Sequence, residues 1–392
     1  MLSEKSTVTV RGTLPLVDAA INKISARFYE RLFTAHPQLL RDLFNRGNQA
    51  AGTQSQALAG SIAAFAAHLI EHPDTRPDAM LGRIAHKHVS LGIQAGQYAI
   101  VHEHLFAAIA EVLAEAVTPD VAAAWDEVYW LMANALMAIE RRLDEEAVEH
   151  GWRQWKVVQR VPETADVVTF LLRPVDEGPV PAFRAGQYVS VQVELPDGAR
   201  QIRQYSLSGV PGGALRQISV KKVGGTPEGE VSHHLHSQVR EGDVLDVSAP
   251  CGDLVLDVDD AERPLLLASA GIGVTPMVAM LSQLAQDRHS GPVIVVHGDR
   301  APADHALRAD HETYARRLAG GTMHVWYEKD SSGAEHTGYV NLEAVDVPQC
   351  TRAYLCGPLP FMRAVRSQLI EKGVAPSEIH YEVFGPDLWL AR

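Results

Sequence analysis

The sequence predicts a multidomain protein: an all-α domain, then an antiparallel β-barrel, then an α/β domain built on a parallel sheet. Three observations predict it. Apolar residues recur every three or four positions as far as about residue 148, every second position from 151 to 262, and in strand-like runs alternating with helical ones from 263 onward. These switches set the expected domains at 1–148, 151–262 and 263–392.

The first stretch contains "LVDAAINKISARFYERLF", "SQALAGSIAAFAAHLIEH", "AGQYAIVHEHLFAAIAEVLAEAV" and "AAAWDEVYWLMANALMAIERRLDEEAVEH", all with the spacing of amphipathic helices. Pro15, Pro37, Pro73, Pro77 and Pro119 are read as breaks between them. In the second stretch, "DVVTFLLRP", "QYVSVQVELP", "LRQISVKKV" and "DVLDVSAP" alternate and are bounded by Gly, Pro and Asp, as short barrel strands are. In the third, "PLLLASAG" is a buried strand running through glycines into the helix "TPMVAMLSQLAQ". "PVIVVHGD", "MHVWYE" and "RAYLCGP" are further strands, so helices are expected on both faces of a parallel sheet.

Composition narrows the function classes. Hydrophobic residues make up 46% and charged residues 21% of the 392, an ordinary globular balance. A net charge of −13 argues against non-specific nucleic-acid binding, because phosphates are repelled. The three cysteines, Cys251, Cys350 and Cys356, form neither a disulfide framework nor a zinc ribbon, and fit a reducing compartment. "MLSEKSTVTVRGTLPLVDAA" lacks the pattern of a signal peptide, and no apolar run reaches membrane-spanning length. A cytoplasmic location is expected.

The stretch "RIAHKHVSLGI" carries two histidines, His86 and His88. On a helix, Leu81, Ile84 and His88 share one face with Ala85 beside them, whereas His86 lies with Gly82 and Arg83 on a polar face. A histidine turned inward is either a hydrogen-bonded core residue or a ligand, and periodicity leaves both open. Glu140 adds to the case. Trp125, Tyr129, Met132, Leu136, Glu140 and Leu143 keep one stripe, so a carboxylate occupies an apolar position. A buried carboxylate needs a partner, and a histidine N–H is a natural one, as in the carboxylate–histidine–metal chains that fix a ligand's tautomer. A glutamate near a helix end also reaches solvent by extending its chain, and Tyr29 and Gln54 also fit helix edges.

"FYERLF", "DLFN", the helix with Gln54 and Leu58, "IAHKHVS" and "QYAIVHEHL" resemble the globin module of the bacterial flavohemoglobins, and the resemblance extends over essentially the whole chain. It implies an all-α globin domain, a β-barrel FAD domain and an α/β NAD(P)-binding domain. It also implies His88 as the proximal ligand to haem b iron, with Tyr98 and Glu140 bonding around it. Tyr29 and Gln54 match the distal pair that holds oxygen. Leu58 matches a residue shaping that pocket, and Phe44, in the connection between two helices, matches the phenylalanine packed on the haem face. Lys87, beside the ligand, is either near the route of electrons to haem or a plain surface lysine.

"RQYSLS" resembles the flavin signature of the ferredoxin–NADP⁺ reductase superfamily. The match implies that Arg203 pairs with pyrophosphate, Tyr205 stacks on the flavin and Ser206 bonds its edge. "GQYVSV" supplies Tyr188, and "GEVSHHLH" supplies Gly229, Val231 and Ser232 at an expected helix start suited to phosphate, with Ser232 also the expected N-cap. Other members carry an aromatic residue where "SHH" stands here. In "SAGIGVTPM", Gly271 and Gly273 let backbone approach phosphate, and Thr275 and Pro276 open a helix. "LCGP" places Cys356 and Gly357 at a strand end, where the resemblance puts the nicotinamide. In "YEVFGP", Phe384 matches the aromatic residue that covers the flavin, and Glu382 an acidic residue between flavin and haem. Arg300 and Arg308 are the candidates for meeting a 2′-phosphate, and NADH and NADPH both stay open.

The family implies a monomeric, NAD(P)H-dependent oxidoreductase that turns NO and O2 into nitrate, with a lipid or hydroperoxide as a further occupant of the distal pocket. The alternatives are a haem–flavin alkyl hydroperoxide reductase or peroxidase, and an O2 or NO sensor globin.

Overall fold

A computed structural model describes residues 2–225, 228–257, 260–329 and 335–385. The tail "DLWLAR" lies outside the described residues. The chain divides into two compact units. One holds the residues up to Gly151 together with Glu194–Ile202, and the other holds Trp152–Val193 and Arg203–Phe384.

The first unit is helical: α1 (Glu4–Ala35), α2 (Pro37–Asp42), α3 (Arg46–Ala50), α4 (Thr53–Glu71), α5 (Asp78–Leu91), α6 (Ala95–Leu113) and α7 (Pro119–Glu146). Local chemistry sets several of the ends. The Ser3 hydroxyl accepts from the Ser6 amide at 3.3 Å to start α1, and Thr118 caps α7 ahead of Pro119. Gly92 closes α5 in the left-handed conformation at φ 73°.

Pro15 departs from expectation, because it lies inside α1 and breaks nothing. Its ring removes one backbone donor, at a cost of about 3 kcal/mol. Val10, Val17, Ile21, Ile24 and Phe28 are nevertheless all buried along that helix. Each large side chain so buried contributes about 1.5–3 kcal/mol, so the stripe outweighs the proline.

A first sheet holds β1 (Trp152–Pro162), β2 (Val167–Pro174), β3 (Tyr188–Glu194), β4 (Arg200–Ser206), β5 (Arg216–Lys221) and β6 (Val244–Ser248), ordered β4-β3-β6-β1-β2-β5, with α8 (Glu230–Ser237) after β5. The pairs β1–β2, β1–β6, β2–β5 and β3–β6 are antiparallel. A bridge from Leu207, just past β4, to Ile218 on β5 joins the two edges, so the sheet curls into a barrel. Trp155, Phe170, Leu172, Val189 and Val191 fill it, each fully buried.

A second sheet holds β7 (Leu265–Ala270), β8 (Val293–Asp299), β9 (Gly321–Tyr327), β10 (His336–Thr337), β11 (Arg352–Cys356) and β12 (Ile379–Glu382), with helices α9 (Val274–Gln286), α10 (Arg308–Arg317) and α11 (Leu359–Glu371). It is parallel throughout and ordered β10-β9-β8-β7-β11-β12. Leu265, Leu266, Leu267 and Ala268 are wholly buried, as strands covered on both faces must be. The strand order reverses between β7 and β11, and the crevice past the strand ends there is where an open α/β sheet binds ligands.

Candidate haem, flavin and nicotinamide sites

In α5, Leu81 and Ala85 are fully buried and His88 follows on the same face, so core packing aims the imidazole inward. His88 Nδ1 lies 2.7 Å from Glu140 Oε1 on α7 and 2.9 Å from the Tyr98 hydroxyl on α6. The Tyr98 hydroxyl donates to the same carboxylate oxygen at 2.5 Å. Tyr98 is held in turn by the Tyr129 hydroxyl, which donates to its carbonyl at 2.6 Å. The start of α6 is fixed by a reciprocal cap between Gln94 and Gln97. Burial, and then the Glu140 carboxylate, push the Tyr98 phenol well above its usual pKa, so it stays a donor. With Nδ1 donating to a carboxylate, the tautomer is set and Nε2 is left as a ligand atom. That donor set suits haem iron with a single protein ligand. His86 and Lys87 are half-buried on the neighbouring face.

Tyr29 is 6% exposed, and burial raises its phenol pKa. The amides of Gln54 and Gln49 lie against its hydroxyl and pull the other way. Its ring centroid lies 5.5 Å from that of Phe33 and 5.8 Å from that of Phe44, edge-on to the latter. Phe44 sits in the turn between α2 and α3, and half-buried Leu58 packs against the same core. The structure thus gathers His88, Tyr98 and Glu140 into one cluster, and Tyr29, Gln54 and Phe44 into another.

At the flavin candidates, Arg203 and Tyr205 are half-buried on β4 and Ser206 is buried. Burial raises the Tyr205 phenol pKa and the nearby Arg203 charge lowers it. Tyr188 starts β3 with paired 2.8 Å backbone hydrogen bonds to Cys251. Gly229, not Ser232, is the N-cap of α8, and no side chain caps it. The Ser232 hydroxyl turns back instead, donating to the Gly229 carbonyl at 2.9 Å and accepting from the Val223 amide at 3.1 Å. The first amides of α8 are therefore not taken up by a capping side chain, which suits a phosphate. Val231 is buried beneath them.

The glycines after β7 serve two purposes. Gly271 adopts φ +53° with open space about it, so backbone lies bare there. At Gly273 a Cβ would meet the Cys356 carbonyl oxygen at 2.2 Å, so the glycine lets the turn close onto the end of β11. Thr275 donates to the Ile272 carbonyl at 2.9 Å and fixes that turn, while Pro276 is buried in the first turn of α9. Gly357 follows Cys356 directly. Cys356 pairs in register with Glu382 on β12, and burial followed by the Glu382 charge raises its thiol pKa. Phe384 is 46% exposed. A Gly273→Ala variant is expected to lose about 1–3 kcal/mol of stability and to bind pyridine nucleotide more weakly, read by thermal melting and by the KM for NADH.

Periodicity gave no hint of some partners. Gln49 stands against Tyr29. Gln201 is fully buried, and its amide donates to the carbonyls of Arg41 at 2.9 Å and Phe44 at 3.2 Å, which holds the turn bearing Phe44.

The fold and these sites define a histidine-centred globin in one chain with a flavin-type barrel and a nucleotide-binding sheet. Comparison with known proteins agrees. A globin family model matches residues 26–136, and an oxidoreductase NAD-binding domain model matches residues 267–367. The chain is 43% identical to a flavohemoprotein of Bordetella parapertussis, over 98% of this chain and 99% of that one. It is similar to the crystal structure of a flavohemoglobin from Malassezia yamatoensis with bound FAD and heme, with a TM-score of 0.91, 38% identity and coverage of 98% of this chain and 100% of that one. The FAD/NAD-binding domain of a nitric oxide dioxygenase from Vibrio cholerae matches 60% of this chain and 99% of its own, at 38% identity and a TM-score of 0.56. The chain belongs to the flavohemoprotein family, and it is an NAD(P)H-dependent oxidoreductase that works with haem and flavin. No helix among the described residues is long and apolar enough to cross a membrane.

Proposed function

We propose that this protein is a nitric oxide dioxygenase that consumes NAD(P)H, NO and O2 and releases nitrate. The observation that carries the reading is the hydrogen-bonded set His88–Glu140–Tyr98, a ligand imidazole backed by a carboxylate. When bound, haem supplies an iron centre for dioxygen, NAD(P)H supplies a hydride, and FAD divides its two electrons into single transfers.

The protein's own residues do the rest. His88 presents Nε2, and Glu140 and Tyr98 are positioning residues that fix its tautomer and make it a stronger donor. Tyr29 offers an O–H in a nearly dry, aromatic-walled pocket, where Gln54 orients it and Phe44 and Leu58 limit the volume. An imidazole backed by a carboxylate favours activating oxygen over storing it. Arg203, Tyr205, Ser206 and Tyr188 hold FAD, with the start of α8 at Gly229, Val231 and Ser232 for its phosphates. Gly271, Gly273, Thr275, Pro276, Cys356 and Gly357 form the nicotinamide crevice. Phe384, at the surface, guards the flavin, and Glu382 sits behind Cys356. Lys87 lies beside the ligand on α5. The Vibrio cholerae relative, named a nitric oxide dioxygenase, supports the same reading.

The test is product analysis. Purified protein with NADH, O2 and NO should form nitrate in proportion to NO consumed. Slow NADH oxidation without nitrate would favour a sensor, and turnover with organic hydroperoxide alone would favour a peroxidase.

Two further outcomes follow. Tyr29→Phe removes one hydrogen bond to a partly charged ligand, worth about 1.5–3 kcal/mol, so O2 should dissociate about 10- to 100-fold faster in flash photolysis. Arg300 is held by Asp304 at 2.9 Å, and Arg308 by Glu312 at 2.7 Å. With both guanidiniums already occupied by carboxylates, NADH should give a higher kcat/KM than NADPH in steady-state assays.

A further inference from the structure

Beside β7, three histidines converge inside the nucleotide-binding domain. His297 lies near the end of β8, His305 ends the turn Pro302–Asp304, and His311 lies on α10. Their exposures are 0%, 4% and 0%, and one ring nitrogen from each lies within 4.8 Å of the others. His305 Nε2 is 3.2 Å from His311 Nδ1. His297 Nδ1 is tied to the Ser269 hydroxyl at 2.8 Å and His305 Nδ1 to the Tyr327 hydroxyl at 3.0 Å. Metal-ligating histidines are held in the same way, one nitrogen tied to a neighbouring polar group and the other turned toward the ion. His297 Nε2, His311 Nε2 and Asp299 Oδ2 are buried without a hydrogen bond among the described residues, and the first and last of these are 3.5 Å apart. Buried ring nitrogens without a hydrogen bond require an explanation.

We infer that His297, His305 and His311 form a binding site for a borderline divalent transition metal, with zinc the best match. Imidazole suits zinc, and three histidines leave its fourth tetrahedral position to a water. Burial holds the pKa values of His305 and His311 well below the ordinary histidine value, so both rings are neutral, as ligands must be. Leu307, between them, adopts a left-handed φ of 53°, an uncommon conformation for leucine that lets the turn and α10 bring both rings to one point. His297 and His305 are stacked, with centroids 3.9 Å apart at 22°. Stacked rings present nearly parallel lone pairs, so loading turns the His305 ring out of the stack. The ion pins the turn after β8 and the start of α10 to the sheet, a structural role separate from the haem and flavin chemistry.

The test uses full-length holoprotein without a polyhistidine tag, stripped with a chelator and dialysed against ZnCl2, with zinc read by elemental analysis. One equivalent should survive gel filtration. Zinc-edge X-ray absorption should show three imidazoles at about 2.0–2.1 Å. His311→Leu should lose that equivalent while haem and flavin absorbance persist. Tyr327→Phe should weaken it by about 10- to 100-fold. His324, Glu335 and His336 make a second, more exposed group at the sheet edge, and His336→Gln should leave the tight equivalent in place. No tight zinc in the wild type, retention by His311→Leu, or loss in His336→Gln would overturn the assignment. Should His311→Leu not fold, the wild-type absorption data decide, and fewer than three imidazoles refutes the site.

Discussion

His88→Ala yields protein without stably bound haem: the Soret absorbance per polypeptide falls to a small fraction of wild type, while flavin absorbance remains. The expectation comes from the donor set. Nδ1 of His88 is committed to Glu140 at 2.7 Å, so Nε2 is the atom the cluster prepares for iron. Tyr98 and Glu140, its two partners, are bonded to each other. Removing the imidazole also takes one of two donors from Glu140, whose side chain is only 12% exposed. Losing one hydrogen bond to a charged, largely buried group costs about 1.5–3 kcal/mol, so the apo-variant should melt at lower temperature as well. Glu140→Gln gives a milder result with a distinct signature. Haem stays, but the iron–histidine stretch in resonance Raman moves to lower frequency, because the ligand loses its carboxylate. An unmoved band would remove Glu140 from its positioning role.

Arg203→Ala has the second largest expected effect, this time on flavin. A charge-assisted pair with a phosphate carries about 1.5–3 kcal/mol per hydrogen bond. A guanidinium making two such bonds therefore weakens FAD binding on the order of 100-fold or more when it is removed. The variant should elute with haem at wild-type stoichiometry and little FAD, and NADH should no longer reduce its iron until excess FAD is added. Equal FAD content in variant and wild type would count against the assignment.

Much of this architecture is legible in the sequence because it rests on periodicity. The period-two strands of the barrel and the unbroken apolar runs of the parallel sheet each have one geometric solution. His88 and Glu140 stand out as polar residues on apolar stripes, and the structure brings them to a single hydrogen bond. Pro15 is the clearest misreading. Proline rules are local, whereas α1 is held by a buried stripe from Val10 to Phe28 that local rules do not weigh. Ser232 is another, since a serine near a helix start suggests a cap and here bonds backward to Gly229 and Val223. Gln49, Gln201 and the three histidines of the nucleotide domain carry no pattern at all. His297 comes from a strand, His305 from a turn and His311 from a helix. Their convergence is tertiary, and no spacing announces it.

The most direct measurement is the absorption spectrum of the purified holoprotein, taken without oxygen before and after NADH. Before NADH the spectrum should show a ferric Soret band with overlapping flavin absorbance, and after it a bleached flavin and a five-coordinate ferrous haem. A folded protein that takes up no haem, or one whose iron stays ferric while NADH is in excess and the flavin is reduced, would contradict it.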